Sequence, residues 1–121
     1  MKKIKIKTDN IEFEAFYFKN IFELSKGLMF YRNGNALFEF KKEGNYKIWT
    51  LFMRFPIDLI FLKNMKIINI IKNVKPISLN PCTWKIYSNK EKYNYLLELD
   101  SRKKISEKLE IAQILKIKNY E

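Results

Sequence analysis

The sequence predicts an α+β domain that is mostly β: a compact antiparallel sheet or small barrel-like domain with two short helices. Three observations carry that expectation. The N-terminus alternates at period two, many short apolar runs are separated by turn residues, and two short stretches carry helix caps. A length of 121 residues allows a single domain over 1–121, without a second core. At 47% hydrophobic and 16% aromatic residues, the chain is too apolar to stay disordered.

The N-terminal element is the most explicit. Lys3, Lys5 and Lys7 alternate with Ile4 and Ile6, and Asp9-Asn10 marks a turn before Ile11-Glu12-Phe13-Glu14-Ala15. A two-residue loop there sets Lys7 opposite Glu12, Lys5 opposite Glu14, Ile6 beside Phe13 and Ile4 beside Ala15. One face of the hairpin is then charged and the other apolar. Asn20 and Glu23 have the spacing of an N-cap and its partner, with Ile21, Phe22 and Leu24 apolar and Gly27 closing a short helix.

Residues 36–40 and 46–53 read as strands joined across Glu43-Gly44-Asn45. A second pair, 57–62 and 67–74, surrounds Lys63-Asn64-Met65-Lys66. Pro76 and Pro81 punctuate a loop, 84–87 reads as a short strand and 93–99 as another. Asp100 or Ser101 caps a second helix bearing Ile105 and Leu109. In the tail, Ile111, Leu115 and Lys118 fit a helix while 115–118 fits a strand, and both readings stay open.

Composition removes several function classes. The chain has no histidine and one cysteine, which excludes His-based metal sites, Ser-His-Asp and Cys-His catalysis, and an internal disulfide. The longest apolar region, 48–62, is interrupted by Arg54, Pro56 and Asp58, so no membrane insertion is expected. No signal-peptide pattern follows the basic N-terminus, and the expected location is cytoplasmic. No cofactor is called for. The net charge of +11 favours anionic partners. Yet only Arg32, Arg54 and Arg102 are arginines, and lysine, isoleucine and asparagine are enriched together, as in an AT-rich genome.

The middle of the chain carries a resemblance. Gly27-Leu28-Met29-Phe30, Ala36-Leu37-Phe38-Glu39-Phe40 and Ile48-Trp49 come first. Met53-Arg54-Phe55-Pro56-Ile57-Asp58-Leu59-Ile60-Phe61-Leu62, Val74-Lys75-Pro76 and Leu96-Leu97-Glu98-Leu99 follow. In this order and spacing, over roughly 19–117, they resemble domain of unknown function 192, also called uncharacterised protein family 0127. The resemblance implies a compact, largely antiparallel β domain with one or two short helices, and it implies no reaction.

Asp58 stands out because both phases of its strand are apolar: Ile60 and Leu62 on one, Ile57, Leu59 and Phe61 on the other. A carboxylate there is buried and must be paired, hydrogen-bonded or protonated. It either caps backbone N–H groups at the Pro56 irregularity or serves a pocket as ligand holder or general base. Arg54 offers a planar fork to an anion, or else pairs structurally with Asp58, Glu39 or Glu98. Trp49 reads as core, Trp84 as the wall of a pocket or interface. Cys82, without a histidine to activate it, reads as a small apolar filler.

Between Leu59 and Lys90 there is no carboxylate, while Lys63, Lys66, Lys72, Lys75, Lys85 and Lys90 are present. Trp84, Tyr87, Tyr93 and Tyr95 lie in or beside this stretch, a combination that suits single-stranded nucleic acid. The alternative for these residues is a solvated lysine face with the aromatics packed inward. The favoured function is a module that binds an unknown small molecule or protein rather than a catalyst. Its pocket candidates are Arg54 as anion anchor, Asp58 as orienting acceptor, and Trp84 and Trp49 as apolar walls. They would meet where 53–58 adjoins 76–84. A weak, sequence-independent nucleic-acid-binding domain is the alternative, and an enzyme with a carboxylate base comes third. Oligomeric state is not fixed by these features.

Overall fold

Period-two runs bounded by turn residues become strands, and pairing buries whichever phase is apolar. A computed structural model describes residues 2–19, 31–48, 50 and 53–119. Among them the strands are β1 (Lys2–Lys7), β2 (Glu12–Phe18), β3 (Ala36–Gly44), β4 (Ile57–Lys63), β5 (Lys66–Val74), β6 (Tyr93–Asp100) and β7 (Lys116–Asn119). They form one sheet in the order β5-β4-β6-β3-β2-β1-β7. β2 and β3 run parallel, and every other neighbouring pair is antiparallel.

The first hairpin has the register its sequence dictates. Lys5 faces Glu14, Lys7 faces Glu12, Ile6 faces Phe13 and Ile4 faces Ala15. Thr8 N–H donates to the Ile11 carbonyl at 2.8 Å, closing the loop around Asp9-Asn10. Lys5 Nζ also reaches diagonally to Glu12 Oε1 at 3.4 Å.

The sheet curls into a half-barrel. Three backbone bonds tie the start of β5 to the segment that leads into β7: Ala112 to Ile67 at 2.8 Å, Ile67 to Gln113 at 2.9 Å and Leu115 to Met65 at 2.9 Å. Residues from opposite edges of the sheet are thereby brought together. One apolar cluster, with Ile4, Ile6, Phe13, Leu37, Ile60, Leu62, Leu97 and Leu99, includes Ile105, Leu109 and Leu115. A second, with Phe18, Ala36, Phe38, Phe55, Ile57, Leu59, Phe61 and Leu96, takes the alternate residues of β3 and β4. β4 therefore has no polar face, and Ile57 through Leu62 are all buried.

Several expectations are corrected. No α-helix occurs among the described residues, so the two-helix detail does not hold there. The helix expected over 20–27, with the Gly27-Leu28-Met29-Phe30 segment, lies outside the described residues. The helix expected after Asp100 is instead two 3-10 turns, Ser101–Lys103 and Ile105–Lys108, separated by Lys104 at φ 57°. Ser101 and Ser106 both donate to one carboxylate, that of Asp58. Five residues apart, they would point about 140° away from each other on an α-helix, so the tighter, broken path is required.

Of the strand expected over 46–53, the described residues 46–48 do not pair with β3 as a hairpin. β6 and β2 flank β3, and Ile48 makes a single bridge to Tyr87. The short strand expected over 84–87 is likewise reduced to that bridge. In the tail, the strand reading holds as β7. Left-handed backbone at exposed Lys104 is costly for a side chain with a Cβ. Lys104→Gly is expected to raise stability by about 0.5–1 kcal/mol in urea titrations; an unchanged or lowered midpoint would show that the position carries no strain.

Candidate functional site

Glu98 lies on β6, near the middle of the sheet, directly between Ala36 of β3 and Leu59 of β4. Both neighbours are fully buried and Glu98 itself is 7% exposed. No hydrogen bond or ion pair to the Glu98 carboxyl occurs among the described residues. Every fully enclosed side-chain nitrogen and oxygen among them does have a partner. The Glu98 carboxyl therefore borders space that a water molecule can enter. Burial pushes its pKa from an ordinary 4.5 up to about 8, leaving it largely protonated at neutral pH.

Asp100, two residues on and on the same face, is satisfied in contrast. Arg102 grips it with Nε to Oδ1 at 2.9 Å and one terminal nitrogen to Oδ2 at 2.8 Å. Its own N–H donates to buried Asn35 Oδ1 at 3.1 Å. Burial alone raises the Asp100 carboxyl, but hydrogen bonds and charge from Arg102, with Lys103, more than offset it and leave it below the usual range. The Arg102 guanidinium also lies 5.3 Å over the Phe55 ring. Two carboxyls on one strand face are thus held in opposite protonation states by their surroundings.

Among the described residues, Arg54, Asp58 and Trp84 make no hydrogen bond or ring contact with one another. Asp58 is 3% exposed and accepts from Asn73 N–H at 2.8 Å, Ser101 Oγ at 2.7 Å and Ser106 Oγ at 2.6 Å. Its one backbone donor belongs to a β5 bulge, where Asn73 has φ 56°, rather than to the Pro56 irregularity. Arg54 is exposed and pairs with neither Asp58, Glu39 nor Glu98. Trp84 is 62% exposed, with its indole N–H donated to the Ser78 carbonyl at 2.6 Å. Trp49 lies outside the described residues. Cys82 is exposed, so the filler reading is corrected: Asn80 holds its backbone N–H in a surface turn.

Within the lysine-rich stretch, Lys66, Lys72, Lys75, Lys85 and Lys90 are exposed, and Lys63 lies 3.9 Å from Glu43. Tyr93 is fully buried with its hydroxyl donated to the Tyr46 carbonyl, and Tyr95 donates to Glu39 at 3.2 Å. Tyr17 also donates to Glu39, and burial is the main cause of its raised pKa. Of the aromatics in and beside that stretch, only Trp84 presents itself openly. The buried Glu98 carboxyl was not singled out from sequence although its signal was available: like Asp58, it is a carboxyl with apolar residues on both strand phases.

The profile of the family described as uncharacterised ACR, domain of unknown function 192, matches residues 3–117. The chain belongs to this family. Two solved structures share the DUF192 chain's fold. One, from Sinorhizobium meliloti 1021 and named a "putative transcription regulator", is 19% identical with a TM-score of 0.80, over 96% of this chain and 92% of that one. The other, a protein of unknown function from Novosphingobium aromaticivorans DSM 12444, is 15% identical with a TM-score of 0.75, over 94% and 83%. At these identities the likeness is one of fold. No curated protein matches the DUF192 chain.

Proposed function

We propose that this DUF192 domain is a binding module for a small, largely apolar molecule, and that Glu98 is the polar group that meets it. The carrying observation is a carboxyl buried between Ala36 and Leu59 without a partner among the described residues. Structural acids in such positions acquire donors, as Asp58 and Asp100 have. Held neutral, the Glu98 carboxyl offers one O–H donor and one acceptor, a match for an amide, a carboxylic acid or a hydroxyl. Exposed Arg54, adjoining Phe55 of the same apolar cluster, supplies the anion anchor at the rim. Asp58, with its oxygens engaged by three donors, acts through the fold.

Native mass spectrometry of the purified protein is expected to reveal a co-purifying small molecule, which rebinds after removal. Glu98→Leu should weaken rebinding by about 10- to 100-fold, equivalent to roughly 1.4–2.8 kcal/mol. Affinity should also fall as the pH passes 8, where Glu98 ionises. Absence of any bound or rebinding molecule, or rebinding unaffected by Glu98→Leu, would refute this reading. Oligonucleotide titration separates the lysine-face alternative. Six phosphate contacts to a single strand would give a log–log salt slope near −4, at roughly 0.7 per contact and indifferent to Glu98.

A further inference from the structure

Residues 78–86 form a surface loop that exposes an unusual amount of apolar surface. Leu79 is 97% exposed, Trp84 62% and Ile86 65%, three of the five large apolar side chains that stand exposed among the described residues. The loop is nonetheless tightly built. Ser78 N–H donates to Thr83 Oγ1 at 2.8 Å, Thr83 Oγ1 donates to the Asn80 carbonyl at 2.8 Å, and Asn80 Oδ1 accepts from Cys82 N–H at 3.0 Å. The indole N–H of Trp84 is engaged by the Ser78 carbonyl. The polar groups of the loop are thus spent on its own shape, and the apolar side chains are left facing outward.

The charge around this tip has one sign. Lys75 and Lys85 are exposed at its base and within it, and the bridge between Ile48 and Tyr87 brings the segment bearing exposed Lys47 alongside. No Asp or Glu occurs between Leu59 and Lys90. We infer that the 78–86 loop is a docking tip for an anionic lipid surface, with Leu79, Trp84 and Ile86 entering the headgroup boundary and the lysines meeting the headgroups. Nucleic acid could stack on Trp84 but would leave Leu79 and Ile86 in water, whereas a lipid interface accommodates all three. The contact is peripheral: no described helix is long and apolar enough to cross a membrane.

Vesicle co-sedimentation tests this directly, using phosphatidylcholine vesicles with and without phosphatidylglycerol. Cys82, the only cysteine, takes an environment-sensitive fluorophore inside the loop. Binding to the anionic vesicles is expected to exceed that to neutral ones by about tenfold, with a blue shift of the Cys82 label. Leu79→Ser combined with Ile86→Ser should reduce binding by roughly tenfold or more while leaving thermal stability unchanged. Glu98→Gln should bind vesicles like the parent, which keeps this proposal separate from the ligand site. No binding to anionic vesicles would overturn the inference. So would binding that the double variant retains, which would reflect lysine charge alone. Single-stranded oligonucleotide binding that the double variant keeps but Trp84→Ala loses would assign the loop to nucleic acid instead.

Discussion

The stability of the protein is expected to fall between about pH 5 and pH 8, and Glu98→Gln is expected to abolish most of that fall. In the unfolded chain Glu98 releases its proton near 4.5, whereas in the fold burial holds the proton until about pH 8. Between those values the folded state binds more protons than the unfolded one, so each step up in pH favours unfolding. The contribution is complete below 4.5 and lost once the pH passes 8, on the order of 4 kcal/mol in total. Against a typical domain stability of about 5–15 kcal/mol, that is a large fraction. Glutamine keeps the shape and a neutral head, so the variant should match the parent near pH 5 and exceed it by about 2–4 kcal/mol near pH 8.5. Urea titrations across this range decide the matter. Parallel profiles for the two proteins would mean that Glu98 finds a compensating donor in solution. Asp100, held below the usual range, acts in a separate acidic window and in the opposite sense.

Removing Asp58 is expected to be the most damaging single change in the sheet. Its carboxylate joins three parts of the chain: the β5 bulge at Asn73, the turn at Ser101 and the turn at Ser106. Asp58→Asn keeps the shape but brings a donor face toward three donors, a mismatch worth about 1–3 kcal/mol. Asp58→Ala leaves the Asn73 N–H and two hydroxyls without their acceptor, and a loss of about 3 kcal/mol or more follows. Chemical denaturation measures both. Ser106→Ala combined with Asp58→Asn should cost less than the sum of the two alone, because they share one network. Additive losses, or an Asp58→Ala variant as stable as the parent, would show that the carboxylate is not the junction described.

The strands legible in the sequence are those whose partners are adjacent in the chain. Lys3 to Lys7 against Glu12 to Ala15 follow from alternation and a turn signal, and the pair around Asn64-Met65 from two apolar runs on either side of a turn signal. What alternation does not encode is which distant strand will pair. Residues 46–53 are as apolar as 36–40, yet β3 is flanked by β2 and β6, so 46–48 is left with one bridge. The segment after Asp100 has helical spacing, but the demands of Asp58 on Ser101 and Ser106 arise only once β4 and β6 are side by side. Asp58 was legible as buried because apolar residues surround it on both phases. Its satisfied state was not, since its donors lie between 15 and 48 positions away. Glu98 carried the same signal as Asp58. Their difference, one saturated and one bare, exists only in three dimensions.

The backbone bonds that tie 112–115 to the start of β5 also bear on the timing of folding. β1 meets β2 within the first 18 residues, but its other neighbour is β7, with Ile4 opposite Asn119. At about 5–20 residues per second, a ribosome needs roughly 5–20 s to deliver that second partner. Throughout that interval the outer edge of β1 is a bare template for pairing with other nascent chains. Lys3, Lys5 and Lys7 stand along it, and charge of that kind opposes edge-to-edge association until residues 116–119 arrive. The lysines at the start of the chain are then guardians of an unfinished sheet, and replacing them should show itself as aggregation during synthesis rather than as a weaker folded protein.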